Sequence, residues 1–289
     1  MAKKKKKSTA ATVLLDVMIV ILIGVIGFSG WKLYEIYSRY HHNTVSQSRL
    51  QEVFYAQTTD AVVGSVEGSE VSQTQLSENA LSGATSLGLL VAKNEDTVGW
   101  IKVDGTVIDN AVMWCGNNDY YLHRDFFGDY NYAGIPFLDG SNILGSAAPT
   151  PWQNYIIYGH RMKDKSMFHI LGEYTERDFY EAHKTFSLLL RIDDQDILFD
   201  AEVFSAYRLT TRDEYYWTTM FETEEEYQEY LDRIMAKTAI DTGVTVTTED
   251  MIVTLSTCDS TLDATEGRLL VHARLIPRVY TPVDPTVGQ

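Results

Sequence analysis

What most limits the possible folds is a succession of short β-type runs that begins near Leu89 and continues to Ile276. "VGWIKVDGTVIDNAVMW" reads as two strands around Asp104-Gly105, and "AGIPFLDG", "NYIIYGH", "FSLLLRI", "DILFDAEVFSAYRL", "MIVTLSTC" and "RLLVHARLI" add more. Two helical segments interrupt them, "MFHILGEYTERDFYEAH" and the acidic "ETEEEYQEYLDRIMAKTAI". In the second, Tyr227, Tyr230, Leu231 and Ile234 are spaced to share one helix face. Many short strands leave unpaired edges unless the sheet closes on itself. The pattern therefore predicts a mainly β domain, a closed barrel decorated by helices. With 45% hydrophobic residues and 18 tyrosines the chain has the side chains to fill such a core.

The segment before Leu89 is built differently. Residues 3–7 are five lysines, and residues 10–31 form a 22-residue apolar run interrupted only by Asp16. As a helix that run extends about 33 Å, enough to cross the hydrocarbon core of a bilayer. It is long for a signal peptide, and no A-x-A-like cleavage site follows it, so an uncleaved anchor is expected, its lysines on the cytoplasmic side. Beyond it, "SRLQEVFYAQ" has some helical periodicity. The proline-free, Ser/Gly/Gln/Glu-rich "VVGSVEGSEVSQTQLSENALSGATS" reads as a flexible tether. The net charge is −16; through residue 36 it is +4, leaving −20 on the remainder. So acidic a domain excludes nucleic acid as a partner and disfavours contact with anionic lipid.

The chemistry concentrates at the end of "MIVTLSTC". Strand alternation puts Ile252, Thr254, Ser256 and Cys258 on one face. In "RLLVHARLI", Leu269, Val271, Ala273 and Leu275 form an apolar face, with Arg268, Leu270, His272 and Arg274 opposite. If the two runs pair as an antiparallel hairpin, Cys258 and Arg268 face each other about 5 Å apart at the mouth of the loop 259–267. A neighbouring cation favours the nucleophilic thiolate, and a guanidinium can bind an oxyanion. Such a site also needs an imidazole to move protons, and His160, ending "NYIIYGH", is the best placed of the seven histidines. On these residues alone, three readings of Cys258 stay open: nucleophile, inert buried thiol, or half of a disulfide with Cys115, the one other cysteine.

"TLSTC", with Arg268 ten residues after the cysteine, and "IIYGHRMKDKSMF" resemble the active-site segments of class B sortases, membrane-anchored cysteine transpeptidases. The resemblance continues through "DTVGWIKVDGTVIDNAVMW", "NDYYLHRDFFGDYNYAGIPFLDG" and "VFSAYRLTTRDEYY", covering about residues 89–276. It implies an eight-stranded barrel with N-terminal helices and a long helix before the cysteine strand. The organisation it implies is a basic stub over 1–9, an anchor over 10–31, a stalk over 32–88, a catalytic domain over 89–281 and a tail over 282–289.

The same resemblance assigns roles. Cys258 attacks a threonine carbonyl in a sorting signal, His160 moves the protons, and Arg268 binds substrate and oxyanion. Ser256, Thr257, Tyr158, Asn118, Leu122 and Tyr215 fall at substrate-contacting positions. It implies no metal or other cofactor. The implied partners are signal-bearing surface proteins, with a pentapeptide of the NPQTN type, and a peptidoglycan amine, either a glycine bridge or a diaminopimelate side chain. The catalytic domain is expected outside the cell, on a single-pass membrane anchor. The chain departs from the family pattern in Cys115, an incidental or structural thiol, and in Pro136, which puts the pairing of its strand at issue. Asp259, beside the nucleophile, has a charge that opposes thiolate formation and is given no catalytic role.

Other classes fit less well. No H-E-x-x-H or similar run supports a zinc hydrolase. A thiol hydrolase using water shares every residue of the site, and product analysis with an added amine separates the two. A pilin-polymerising sortase, using a pilin lysine, has the same residues. A non-catalytic surface-binding domain predicts that Cys258→Ala is silent.

Overall fold

The computed structural model describes residues 9–63, 87–213 and 217–278. The chain divides into two compact units, Met1–Val45 and Ser46–Gln289. A single helix, α1 (Thr9–Val63), contributes to both. In the first unit its apolar side chains, among them Leu14, Ile21, Ile26 and Phe28, are exposed. The described part of this helix that is long and apolar enough to cross a membrane runs over Thr12–Ala56.

The second unit is built on eight strands: β1 (Thr97–Lys102), β2 (Asp109–Met113), β3 (Phe137–Leu138), β4 (Asn154–Tyr158), β5 (Thr185–Ile192), β6 (Gln195–Thr210), β7 (Ile252–Cys258) and β8 (Gly267–Pro277). They close in the order β1-β2-β3-β4-β7-β8-β6-β5, the closed eight-stranded barrel that was expected. The β1–β2 turn uses Gly105 at φ +72°, a conformation that a side chain would resist. Between β5 and β6, Ile192 pairs with Gln195, so Asp193-Asp194 form a two-residue hairpin turn, both at positive φ. Pro136 lies just ahead of β3. It gives no amide proton, but its carbonyl accepts from Met113 N at 3.0 Å, so the pairing of β3 with β2 survives the proline.

The alternation read from the sequence sets the packing. Val253, Leu255, Leu269, Val271, Ala273 and Leu275 point into the main core with Leu188, Leu190 and Val203. Ile252 and Leu270, on the opposite face, lie under the helix Glu224–Ala236, which buries Tyr227, Tyr230, Leu231 and Ile234. This is the acidic helix expected before the cysteine strand. Thr223 caps it by accepting from Glu226 N, and three glutamates occupy its first turn, where the helix dipole favours negative charge. "MFHILGEYTERDFYEAH" is less regular than predicted: a 3-10 stretch, Phe168–Thr175, is broken at Glu176 in extended conformation before a short α-helix, Arg177–Ala182.

Part of the segment expected as a stalk over 32–88 packs with the barrel unit. The compact unit reaches back to Ser46, because Leu50 and Phe54, one helical turn apart, are fully buried with Leu87 and Leu90 around Trp100. The Phe54 ring stacks on Trp100 with centroids 3.8 Å apart. Gln51 and Tyr55 add hydrogen bonds to Asp109. The tether over 64–86, the stub up to residue 8 and the tail over 282–289 lie outside the described residues.

Candidate active site

Strands β4 and β7 run parallel and in register, Tyr158 beside Ser256, so the segments that follow them leave the barrel at the same edge. Two further bonds hold them together. Gly159 N donates to Ser256 O at 3.1 Å, and Thr257 Oγ1 donates to Gly159 O at 2.7 Å. Gly159 is obligatory: a Cβ there would sit 2.6 Å from the buried ring of Phe168. Phe168 N in turn donates to His160 O, pinning the histidine backbone.

β7 and β8 form the antiparallel hairpin read from the sequence, with Cys258 directly opposite Arg268. The loop between them is tied by Asp263, whose carboxylate accepts from the backbone of Thr265 and Glu266, and by Asp259 N donating to Gly267 O. Cys258 is exposed and unbonded to Cys115, which is partly buried and donates to Asn117 O. The disulfide alternative therefore falls. Burial raises the Cys115 thiol above its usual range, with Asp96 adding to the effect, so it is a poor nucleophile.

His160 Nε2 lies 2.9 Å from Leu122 O. A carbonyl only accepts, so Nε2 carries the proton and Nδ1 is left for proton exchange. Burial lowers the His160 pKa from its ordinary value; the Leu122 carbonyl opposes this and His123, stacked 5.4 Å away, adds to it. Arg268 spends Nη1 on Thr265 O and Gly267 O, and among the described residues no partner holds Nε or Nη2.

Cys258, His160 and Arg268 line one cleft of about 200 Å³ together with Asn118, Leu122, Phe137, Tyr158, Gly159, Ser256 and Thr257. Five of the six positions expected to contact substrate thus share a cavity with Cys258, His160 and Arg268. Tyr215, the sixth, lies outside the described residues. Sequence reasoning missed Phe137, Gly159 and Asp139. The last is a buried carboxylate that accepts from Asn118 Nδ2 and Tyr158 OH. A rigid Asp-Gly turn after an apolar run was its only signal.

Asp259 also departs from expectation. It is fully buried, and its carboxylate accepts from Arg208 Nε at 2.7 Å and from Thr261, with Arg161 3.7 Å away. Burial works against its charge, but the Thr261 and arginine contacts outweigh it and hold its pKa below the ordinary carboxylate value. Its charge is therefore compensated, and it opposes a neighbouring thiolate less than its position in the sequence suggests. It links the residue after Cys258 to the residue after His160.

A family profile described as the Sortase domain matches residues 134–276. The chain is 34% identical over 259 residues to sortase B of Listeria monocytogenes, covering 89% of this chain and 95% of that protein. It is 31% identical over 262 residues to sortase B of Staphylococcus aureus, covering 91% and 96% respectively. Among solved structures, a Staphylococcus aureus sortase B–substrate complex superposes with a TM-score of 0.66 at 30% identity, over 84% of this chain and all of that one. Sortase B from Bacillus anthracis in complex with AAEK1 gives 0.64 at 32% identity, over 84% of this chain and 100% of that one.

Proposed function

Because this chain belongs to the sortase family, among the class B enzymes, and is a cysteine transpeptidase, we propose that it cleaves a sorting-signal pentapeptide after threonine and joins the protein to a cell-wall amine. The observation that carries the reading is the cross-strand pair Cys258–Arg268, opening into a cleft shared with His160.

Cys258 first passes its thiol proton to His160 Nδ1, and the resulting thiolate attacks the threonine carbonyl carbon, forming the S–C bond. Arg268, through Nε or Nη2, stabilises the oxyanion. As the tetrahedral species collapses, the scissile C–N bond breaks and His160 gives its Nδ1 proton to the departing amine. The thioester then meets the second amine. Its nitrogen attacks the same carbon, its proton passes to His160, and the C–S bond breaks to restore the thiolate. Ser256, Thr257, Leu122, Asn118 and Tyr158 form the walls that hold the peptide extended. The signal is of the NPQTN type, and the acceptor belongs to peptidoglycan.

The apolar part of α1 acts as an uncleaved single-pass anchor, with the lysine stub in the cytoplasm and the barrel outside. Intact-mass spectrometry of the full chain in detergent, mixed with NPQTN peptide, tests the whole reading. A hydroxylamine-labile adduct on Cys258 that becomes an amide when triglycine is added is the expected result. An adduct that only hydrolyses in the presence of amine would reduce the enzyme to a thiol hydrolase.

A further inference from the structure

We infer that Asp139 sets the hydrogen-bonding polarity of the peptide groove, so that the groove accepts signal residues bearing N–H donors and rejects carboxylates. This rests on the peptide-cleaving function proposed above. Asp139 is 5% exposed and its main chain is fixed on three sides. Its N donates to Ile156 O, and its O accepts from Asn142 N and Trp114 Nε1. Its carboxylate is equally constrained. Oδ1 accepts from Ser141 N at 2.8 Å and Ser141 Oγ at 2.5 Å; Oδ2 accepts from Tyr158 OH at 2.9 Å and Asn118 Nδ2 at 3.0 Å. All four donors are neutral, and among the described residues no cation pairs with it.

Two consequences reach the cleft. The Tyr158 hydroxyl has given its only proton to Asp139, so towards a bound peptide it can only accept. The Asn118 amide is held at both ends, since its Oδ1 accepts from Gly140 N at 2.7 Å while Nδ2 donates to Asp139. It cannot rotate to suit a different ligand. Behind both residues stands a buried carboxylate that no cation among the described residues pairs with. At the Tyr158 hydroxyl a peptide carboxylate meets an acceptor where it needs a donor, together with repulsion from the carboxylate behind it; the N–H of a carboxamide meets neither. Asp139 is thus a positioning residue that acts through Tyr158 and Asn118.

The substitution Asp139→Asn reverses this polarity for a defined reason. The two Ser141 donors hold the amide oxygen at the Oδ1 position, which puts Nδ2 where Oδ2 was. Tyr158 then accepts from residue 139 and its own proton is released into the groove, while Asn118 Nδ2 loses its acceptor. The test uses the full-length enzyme in detergent and three fluorogenic peptides, NPQTN, NPETN and DPQTN. For Asp139→Asn, kcat/KM on NPQTN is expected to fall about tenfold, through KM rather than kcat. Preference for NPQTN over at least one acidic peptide is expected to shrink about tenfold as well. In a Tyr158→Phe background the substitution is expected to change that preference little, because both act through one hydroxyl.

An unchanged peptide ranking in folded Asp139→Asn enzyme overturns the inference, as does full additivity with Tyr158→Phe. If Asp139→Asn does not fold, Tyr158→Phe alone decides: relaxed discrimination supports the inference and an unaltered ranking overturns it. Failure of the underlying function looks different, with no wild-type thioester on any peptide while a small methanethiosulfonate still labels Cys258; that result removes both.

Discussion

At the scale of single residues, function and stability depend on different groups. Removing the thiol in Cys258→Ala is expected to abolish turnover in a peptide-cleavage assay and to leave the melting temperature unchanged, since the side chain is exposed. Arg268→Ala removes a guanidinium aimed at developing charge, so a loss of about 10²–10³ in kcat is expected from steady-state kinetics. His272 matters for acid stability. It is fully buried on β8, close to Thr254 Oγ1 on one side and Tyr207 OH on the other. Thr254 gives its own proton to Asn154 Oδ1, so His272 must donate from Nδ1 and accept at Nε2. Burial, aided by Lys237, lowers its pKa from 6.5 to about 3. Between those values the unfolded chain binds a proton that the folded one refuses, so stability falls as pH drops from 6.5 towards 3. The slope approaches about 1.4 kcal/mol per pH unit. Urea titrations at several pH values are expected to show a shallower decline for His272→Gln.

At the scale of elements, the site depends on how strands and loops meet. A Cβ on Gly267 would lie 2.0 Å from Asp259 O, so Gly267→Ala must displace the start of β8 and with it Arg268. Peptide cleavage is expected to fall about as far as in Arg268→Ala, with a smaller loss of stability. The N-terminal helix is tested by Phe54→Ala, which opens a cavity against Trp100 and is expected to cost about 3–5 kcal/mol by denaturant unfolding. The hairpin β7–β8 was legible in the sequence, down to Cys258 facing Arg268, because apolar residues alternate along both strands and a one-residue slip would bury Arg268 or expose Val271. Leu50 and Phe54 were not recognised as core, since the few apolar residues of "SRLQEVFYAQ" identify no partner. Asp139 and Asp259 escaped for a related reason: the partners that define them, Asn118, Tyr158, Arg161 and Arg208, lie 19 to 98 residues away in the chain.

At the scale of the whole molecule, the boundary of the folded unit is the quantity to measure. A fragment starting at Thr44 keeps Leu50 and Phe54 and is expected to unfold cooperatively, whereas one starting at Leu89 leaves the Trp100 face bare and is expected to aggregate or melt at lower temperature in calorimetry. The barrel's strand order carries a consequence in time. β8 lies between β7 and β6, so the cylinder stays open until the final strand is in place. A ribosome delivers the chain from its N-terminus, and Cys258 emerges before Arg268 and well before Pro277 completes β8. During synthesis the Cys258 thiol therefore exists without the guanidinium that will face it, and the proposed site is complete only with the last stretch of sheet to be translated.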